Sequence, residues 1–172
     1  MVFKKFSAVK AIALDVDGVL TDGSIHVTEE GHQLRTFHVK DGYAMQLAVK
    51  LGMPIWIISG GKSQGVQLRM EGLGISEVHL GVKDKVAVLN ELKDKYQVKL
   101  EDILYIGDDL PDYEVMQIVG FAACPKDSVE EIKQISHFMS TKDGGKGAVR
   151  EILEKVLKLQ GKWGVKTNIR SI

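Results

Sequence analysis

Asp15 and Asp17 stand one residue apart at the end of a short apolar run, Ala11-Ile12-Ala13-Leu14, and Gly18 follows them directly. Such a run reads as a buried parallel strand. Side chains two apart on a strand share a face, so both carboxylates would leave its carboxyl edge together. Two carboxylates side by side repel unless a cation or a shared proton relieves them. In open α/β sheets that edge is also where ligands bind. The pattern points to a cation site or to an acid pair with divided roles; the plain alternative is an acidic turn with no chemistry. Other groups can join the pair if the fold brings them. Ser59-Gly60-Gly61 offers a hydroxyl and amides that approach an anion closely. Lys83 and Lys85 offer point charges for a phosphate. Gly107-Asp108-Asp109, with Asp112 close behind, adds carboxylates. Clustered carboxylate oxygens suit a hard cation, magnesium by default where a phosphate supplies further oxygens. Cation, cradle, lysine and carboxylate nucleophile are the parts of phosphoryl transfer.

These groups share one place only if strands alternate with helices, and the sequence has that rhythm. After strand 11–15, residues 25–39 read as a hairpin around Glu29-Glu30-Gly31-His32. Its alternation is imperfect, and two strands alone are marginal in water, so it calls for a partner surface such as another subunit. A helix from Asp41-Gly42 to about Leu51 carries Ala44, Leu47, Ala48 and Leu51 on one stripe, and Gly52 and Pro54 end it. Strand 55–58 ends in Ser59, and a helix follows over about 63–73. Strand 77–80 precedes a helix over 83–96, and strand 103–106 ends in Gly107-Asp108-Asp109. A helix over 110–119 has Pro111 in its first turn, where proline is welcome. Short strands near 120–123 and 138 bracket a helix over 128–135, and the last helix spans about 148–159 after Gly144-Gly145-Lys146-Gly147. Residues 1–10 read as a lead-in. The expected fold is a three-layer α/β sandwich of Rossmann-like type with a mainly parallel sheet, one domain over residues 1–160, and a tail over 161–172.

Composition removes several function classes. The chain has 172 residues, 44% of them hydrophobic, enough for one core. Its 23 basic and 23 acidic residues cancel, which argues against a nucleic-acid or membrane-surface partner. The single cysteine, Cys124, excludes an internal disulfide and fits a reducing cytoplasm. Lys4, Lys5 and Lys10 are followed by no signal-type apolar region, and no window is long enough to span a bilayer.

Asp15-Val16-Asp17-Gly18-Val19-Leu20-Thr21-Asp22 resembles the first motif of the haloacid dehalogenase superfamily. Ser59 after a buried strand matches its second motif, Lys85 its third, and Gly107-Asp108-Asp109-Leu110-Pro111-Asp112 its fourth, in the family's order. The hairpin, the segment Phe37 to Tyr43 and the run Gly144 to Glu151 are similar to the capless sugar-acid phosphatase branch. That resemblance implies that Asp15 takes the phosphoryl group and that Asp17 protonates the leaving oxygen, then activates water. It implies magnesium held by Asp15, the Asp17 carbonyl and Asp108, with Asp109 and Asp112 supporting that shell. Ser59, Gly60 and Lys85 would bind the phosphoryl oxygens, and Arg69, Lys40, Asp41 and Gly61 the sugar acid. The branch implies a homotetramer built through the hairpin. It also implies an eight-carbon substrate, 3-deoxy-D-manno-octulosonate 8-phosphate of lipopolysaccharide precursor synthesis. Enzymes for nine-carbon acids, the runner-up, often carry an acid where this chain has Gly61.

A receiver-like signalling module is the rival of another class, but its acceptor aspartate ends a middle strand of the chain, whereas here the acid pair ends the first. A silent regulator that kept the fold would not need the full set of Asp15, Asp17, Ser59, Lys85 and Asp108. Plain readings cover other residues. The five histidines have no metal-ligand spacing, Cys124 reads as a buried thiol and Trp56 as core. Glu29 and Glu30 read as a solvated turn, and Asp22 as a local cap.

Overall fold

The computed structural model describes residues 2–164. Strand β1 (Ala11–Leu14) is followed by a hairpin of β2 (His26–Val27) and β3 (Gln33–Leu34), helix α2 (Val39–Lys50) and β4 (Ile55–Ser59). Then come α3 (Gln64–Gly72), β5 (Glu77–Leu80), α4 (Lys85–Tyr96), β6 (Ile103–Ile106), α5 (Tyr113–Ile118) and β7 (Phe121–Cys124). Helix α6 (Glu130–Ile135), β8 (Phe138–Met139) and α7 (Ala148–Leu159) complete the described chain. Six strands form one sheet in the order β5-β4-β1-β6-β7-β8, and every pairing in it is parallel.

The alternation along β1 explains the layers. Ile12 and Leu14 enter one core with Phe6, Met45, Leu47, Met70 and the inner face of α7. Ala11 and Ala13 face the other with Trp56, Leu89, Tyr105 and Ile132. Strands buried on both faces are apolar along their length, as β1, β4, β6 and β7 are apart from Ser59 and the Tyr105 hydroxyl, both directed to the site. Helix α7 has the expected bounds and buries Ala148, Val149, Ile152, Leu153, Val156 and Leu157 along one stripe. Its outer face is tied by i,i+4 pairs such as Arg150–Glu154 and Lys155–Glu151.

Three expectations change. The lead-in is a helix, α1 (Val2–Ala8), whose Phe6 packs edge-on against Phe121 and Phe138. One buried aromatic in seven residues gives no periodic signal, so its helicity comes from docking. The hairpin strands are only two residues long, and their pairing ends at Leu34. The helix expected over 110–119 begins as one 3-10 turn, Leu110–Asp112, with α proper from Tyr113. Of the tail, Trp163 is tied to Leu157 through its backbone N–H and packs on Tyr43; the remainder of the expected tail, 165–172, lies outside the described residues.

Candidate active site

The carboxyl ends of β1, β4 and β6 lie side by side because β1 pairs with both neighbours. They open on a crevice of about 380 Å³ whose walls include Asp15, Asp17, Ser59, Gly60, Lys85 and Asp108. Gly61, Lys83 and Asp109 line it as well.

The loop after β1 is held by Thr21, wholly buried, whose hydroxyl accepts the N–H groups of Gly18 and Gly23 at 3.2 Å each. Gly18 lies at φ +81°, and a Cβ there would stand 1.9 Å from Asp108 Oδ2. Loop 144–147 presses on the same turn: Gly145 N–H donates to the Val19 carbonyl at 3.1 Å, and a Cβ on Gly144 would meet the Gly18 carbonyl oxygen at 1.8 Å. Two distant glycine-containing segments therefore fit each other backbone to backbone.

Lys85, the first residue of α4, is aimed by an ordinary cap. Asp84 accepts the Ala87 N–H at 2.9 Å, fixing the helix start. The Lys85 ammonium donates to Asp15 Oδ2 at 2.8 Å and to Asp112 Oδ1 at 2.7 Å. Asp112 is wholly buried, and its Oδ1 also accepts the Tyr105 hydroxyl at 2.8 Å, while its Oδ2 accepts the Asp108 N–H at 3.2 Å. Asp15 Oδ1 accepts the Val16 N–H at 2.7 Å. Burial pulls the Lys85 ammonium down, but Asp15 and Asp112 together outweigh it, so its pKa rises above the ordinary lysine value. Burial, then the charge of Asp112, push Asp15 up against the pull of Lys85. Asp108 is pushed up to about 8 by burial and by the charges of Asp112, Asp15 and Asp109.

Oxygens of Asp15, Asp108 and Asp112 all lie within 4.8 Å of one another. An all-oxygen set carrying more negative charge than one lysine can balance fits a hard divalent cation. Asp112 already accepts three hydrogen bonds in full burial, so Asp15 and Asp108 are the side chains open to an ion. Asp109 is exposed and caps the turn after it, accepting the Leu110 N–H at 2.7 Å.

Three residues expected at the sugar acid are not in this crevice. Asp41 is buried at the start of α7, accepting the Arg150 N–H at 2.7 Å; a buried acid capping a neighbouring helix is a packing device. Lys40 is exposed beside a separate groove with His38 and Arg150. Arg69 lies against Gly42 in a narrow cleft with Phe37 and His38. What sequence reading missed is Arg35. It follows β3 and grips Asp17 with two nitrogens, Nε to Oδ1 at 2.7 Å and Nη2 to Oδ2 at 3.1 Å. The plain readings hold where they can be seen: Trp56 and Cys124 are buried, and Asp22 accepts the Ser24 N–H.

A nucleophile candidate on the central strand end, a lysine on it and a carboxylate pair suited to a hard cation define a phosphoryl-handling α/β hydrolase. The chain belongs to the haloacid dehalogenase-like hydrolases: that family's model matches residues 71–153, and curated members align over most of the chain. It is 35% identical to the 3-deoxy-D-manno-octulosonate 8-phosphate phosphatase KdsC of Escherichia coli K12, over 94% of this chain and 86% of that one. It superposes with a TM-score of 0.90 and 38% identity on the Moraxella catarrhalis phosphatase of that name, crystallised with magnesium, phosphate and KDO, over 93% of this chain and 92% of that one. The cobalt-bound enzyme of Haemophilus influenzae gives a TM-score of 0.88 at 32% identity, covering 92% of each chain.

Proposed function

We propose that this chain is a magnesium-dependent phosphatase that converts 3-deoxy-D-manno-octulosonate 8-phosphate to the free sugar acid and phosphate through an aspartyl phosphate on Asp15. The observation that carries the reading is the Lys85 ammonium 2.8 Å from Asp15 in a crevice that also holds Asp108. Asp15 attacks phosphorus, and Asp17 gives its proton to the departing sugar oxygen and takes one from the water that attacks next. Lys85, the Ser59 hydroxyl and the Gly60 amide orient the phosphoryl oxygens. Asp112 keeps Lys85 aimed. Magnesium would be held by Asp15, Asp108 and the Asp17 carbonyl, supported by Asp109 and Asp112. When bound, it neutralises charge on the phosphoryl oxygens.

Residues 1–160 form the catalytic unit in this reading, and the segment from 161 is an appendage. Four copies assemble through the hairpin, and the protein works in the cytoplasm. Exposed Ile25, Val27 and Leu34 on a hairpin of two-residue strands support the assembly. Among the described residues no helix is long and apolar enough to cross a membrane. The test is a panel of sugar-acid phosphates with magnesium, ranked by kcat/KM. Selectivity for the octulosonate ester supports the reading, and preference for nine-carbon esters or a flat profile overturns it.

A further inference from the structure

We infer that Arg35 is a positioning residue for Asp17, fixing the carboxyl group that carries the proton; this rests on the phosphatase reading above. Three observations lead there. The guanidinium holds both oxygens of Asp17 in a side-on fork, at 2.7 and 3.1 Å, from a position 18 residues away on the hairpin. The Arg35 side chain is 4% exposed, while Asp17 remains 31% exposed toward the crevice. Gly61 leaves room for the fork: a Cβ there would stand 3.2 Å from Asp17 Oδ2 and 3.4 Å from Arg35 Nη2.

The pair is a poor stability device. It buries a guanidinium whose Nη1 has no hydrogen-bond partner, against an acid that stays partly in water. As a positioning device it makes sense. An unrestrained aspartate turns freely about its last torsion, and a bidentate fork fixes the carboxyl plane. Each oxygen keeps a lone pair for chemistry. The scissile P–O bond breaks with its electron pair going to the sugar oxygen, which takes the Asp17 proton as the Asp15 oxygen bonds to phosphorus. Water then bonds to phosphorus, the Asp15–phosphorus bond breaks, and the proton lost by water returns to Asp17. Arg35 neither gains nor loses a proton; it sets where both transfers occur.

The test compares two esters on the full-length, magnesium-loaded enzyme. The octulosonate ester has an alkyl leaving oxygen that needs a proton, whereas p-nitrophenyl phosphate has one that does not. kcat/KM reports events up to formation of the aspartyl phosphate. Arg35→Ala is expected to lower kcat/KM for the sugar ester about 10²-fold, with a much smaller fall for the aryl ester. Added to Asp17→Asn, it should cost nothing further, because it acts only through Asp17. Arg35→Lys should recover part of the loss, and this variant decides the matter if the alanine variant does not fold. Equal losses on both esters, a further loss in the Asp17→Asn background, or full sugar-ester activity in Arg35→Ala or Arg35→Lys overturns the inference while the phosphatase reading stands. A wild-type protein that releases phosphate from neither ester overturns both.

Discussion

Asp112 is wholly buried and does not line the crevice, but it holds residues that do. It ties Lys85, Tyr105 and the Asp108 amide into one buried network. Asp112→Asn keeps the shape but removes half the charge that holds the ammonium. Misdirecting Lys85 should lower kcat/KM about 10²-fold, read by steady-state kinetics, with a smaller change in KM. Asp108, together with Asp15, which is also raised, enters the pH dependence. Its folded pKa of about 8 lies above that of an exposed aspartate, so without metal its contribution to stability is present at acid pH and lost as pH rises toward 8. A cation needs the ionised form, so magnesium affinity should fall about tenfold for each unit below pH 8, read by titration calorimetry. Thermal stabilisation by magnesium should accordingly be larger at pH 8 than at pH 6. The gathering of Asp15, Asp17, Ser59, Lys85 and Asp108 at one crevice was legible because each follows a strand or opens a helix in the right order. Arg35 was not, since an ion pair across an imperfect hairpin leaves no periodic trace. Lys40, Asp41 and Arg69 lie outside the crevice, and the sequence could not show this: Lys40 is exposed at the start of α2, Asp41 is buried against α7 and Arg69 is on α3.

At the scale of elements, the loop after β1 depends on loop 144–147, more than a hundred residues away. Gly144→Ala would drive a Cβ into the Gly18 carbonyl. The backbone must shift, at a cost of about 1–3 kcal/mol, measurable by urea denaturation. Because Gly18 abuts Asp108, magnesium affinity should fall in the same variant. Sequence reading placed both glycine segments in loops but could not pair them, as backbone contacts are not written in side-chain patterns. It found the strands of the main sheet and the bounds of α7 because both carry strong burial patterns. It missed α1, whose single buried aromatic carries none.

The whole molecule is arranged around the place where the chain reverses direction across the sheet. From β1 it builds outward through β4 and β5, then crosses to β6 on the other side. Ligands bind where such a reversal leaves a crevice at the strand ends, and β1 lies there, first in the chain but central in the sheet. A parallel α/β sandwich was legible from alternation alone; the order of strands was not, since distance along the chain does not fix neighbours. The hairpin stands outside both cores. Deleting residues around Glu30-Gly31 should weaken assembly, read by sedimentation, and turnover of the sugar ester together; intact assembly with unchanged selectivity would separate the hairpin from the site.

The most direct test asks whether phosphorus passes onto Asp15. Asp17→Asn, which lacks the base for the second step, should accumulate a covalent phosphoryl group when mixed with p-nitrophenyl phosphate and magnesium and quenched in acid. Mass spectrometry of the digested protein should place that group on Asp15, and Asp15→Asn should show none and release no phosphate. Phosphate release by Asp15→Asn at the wild-type rate, or a phosphoryl group trapped on another residue, would contradict the account.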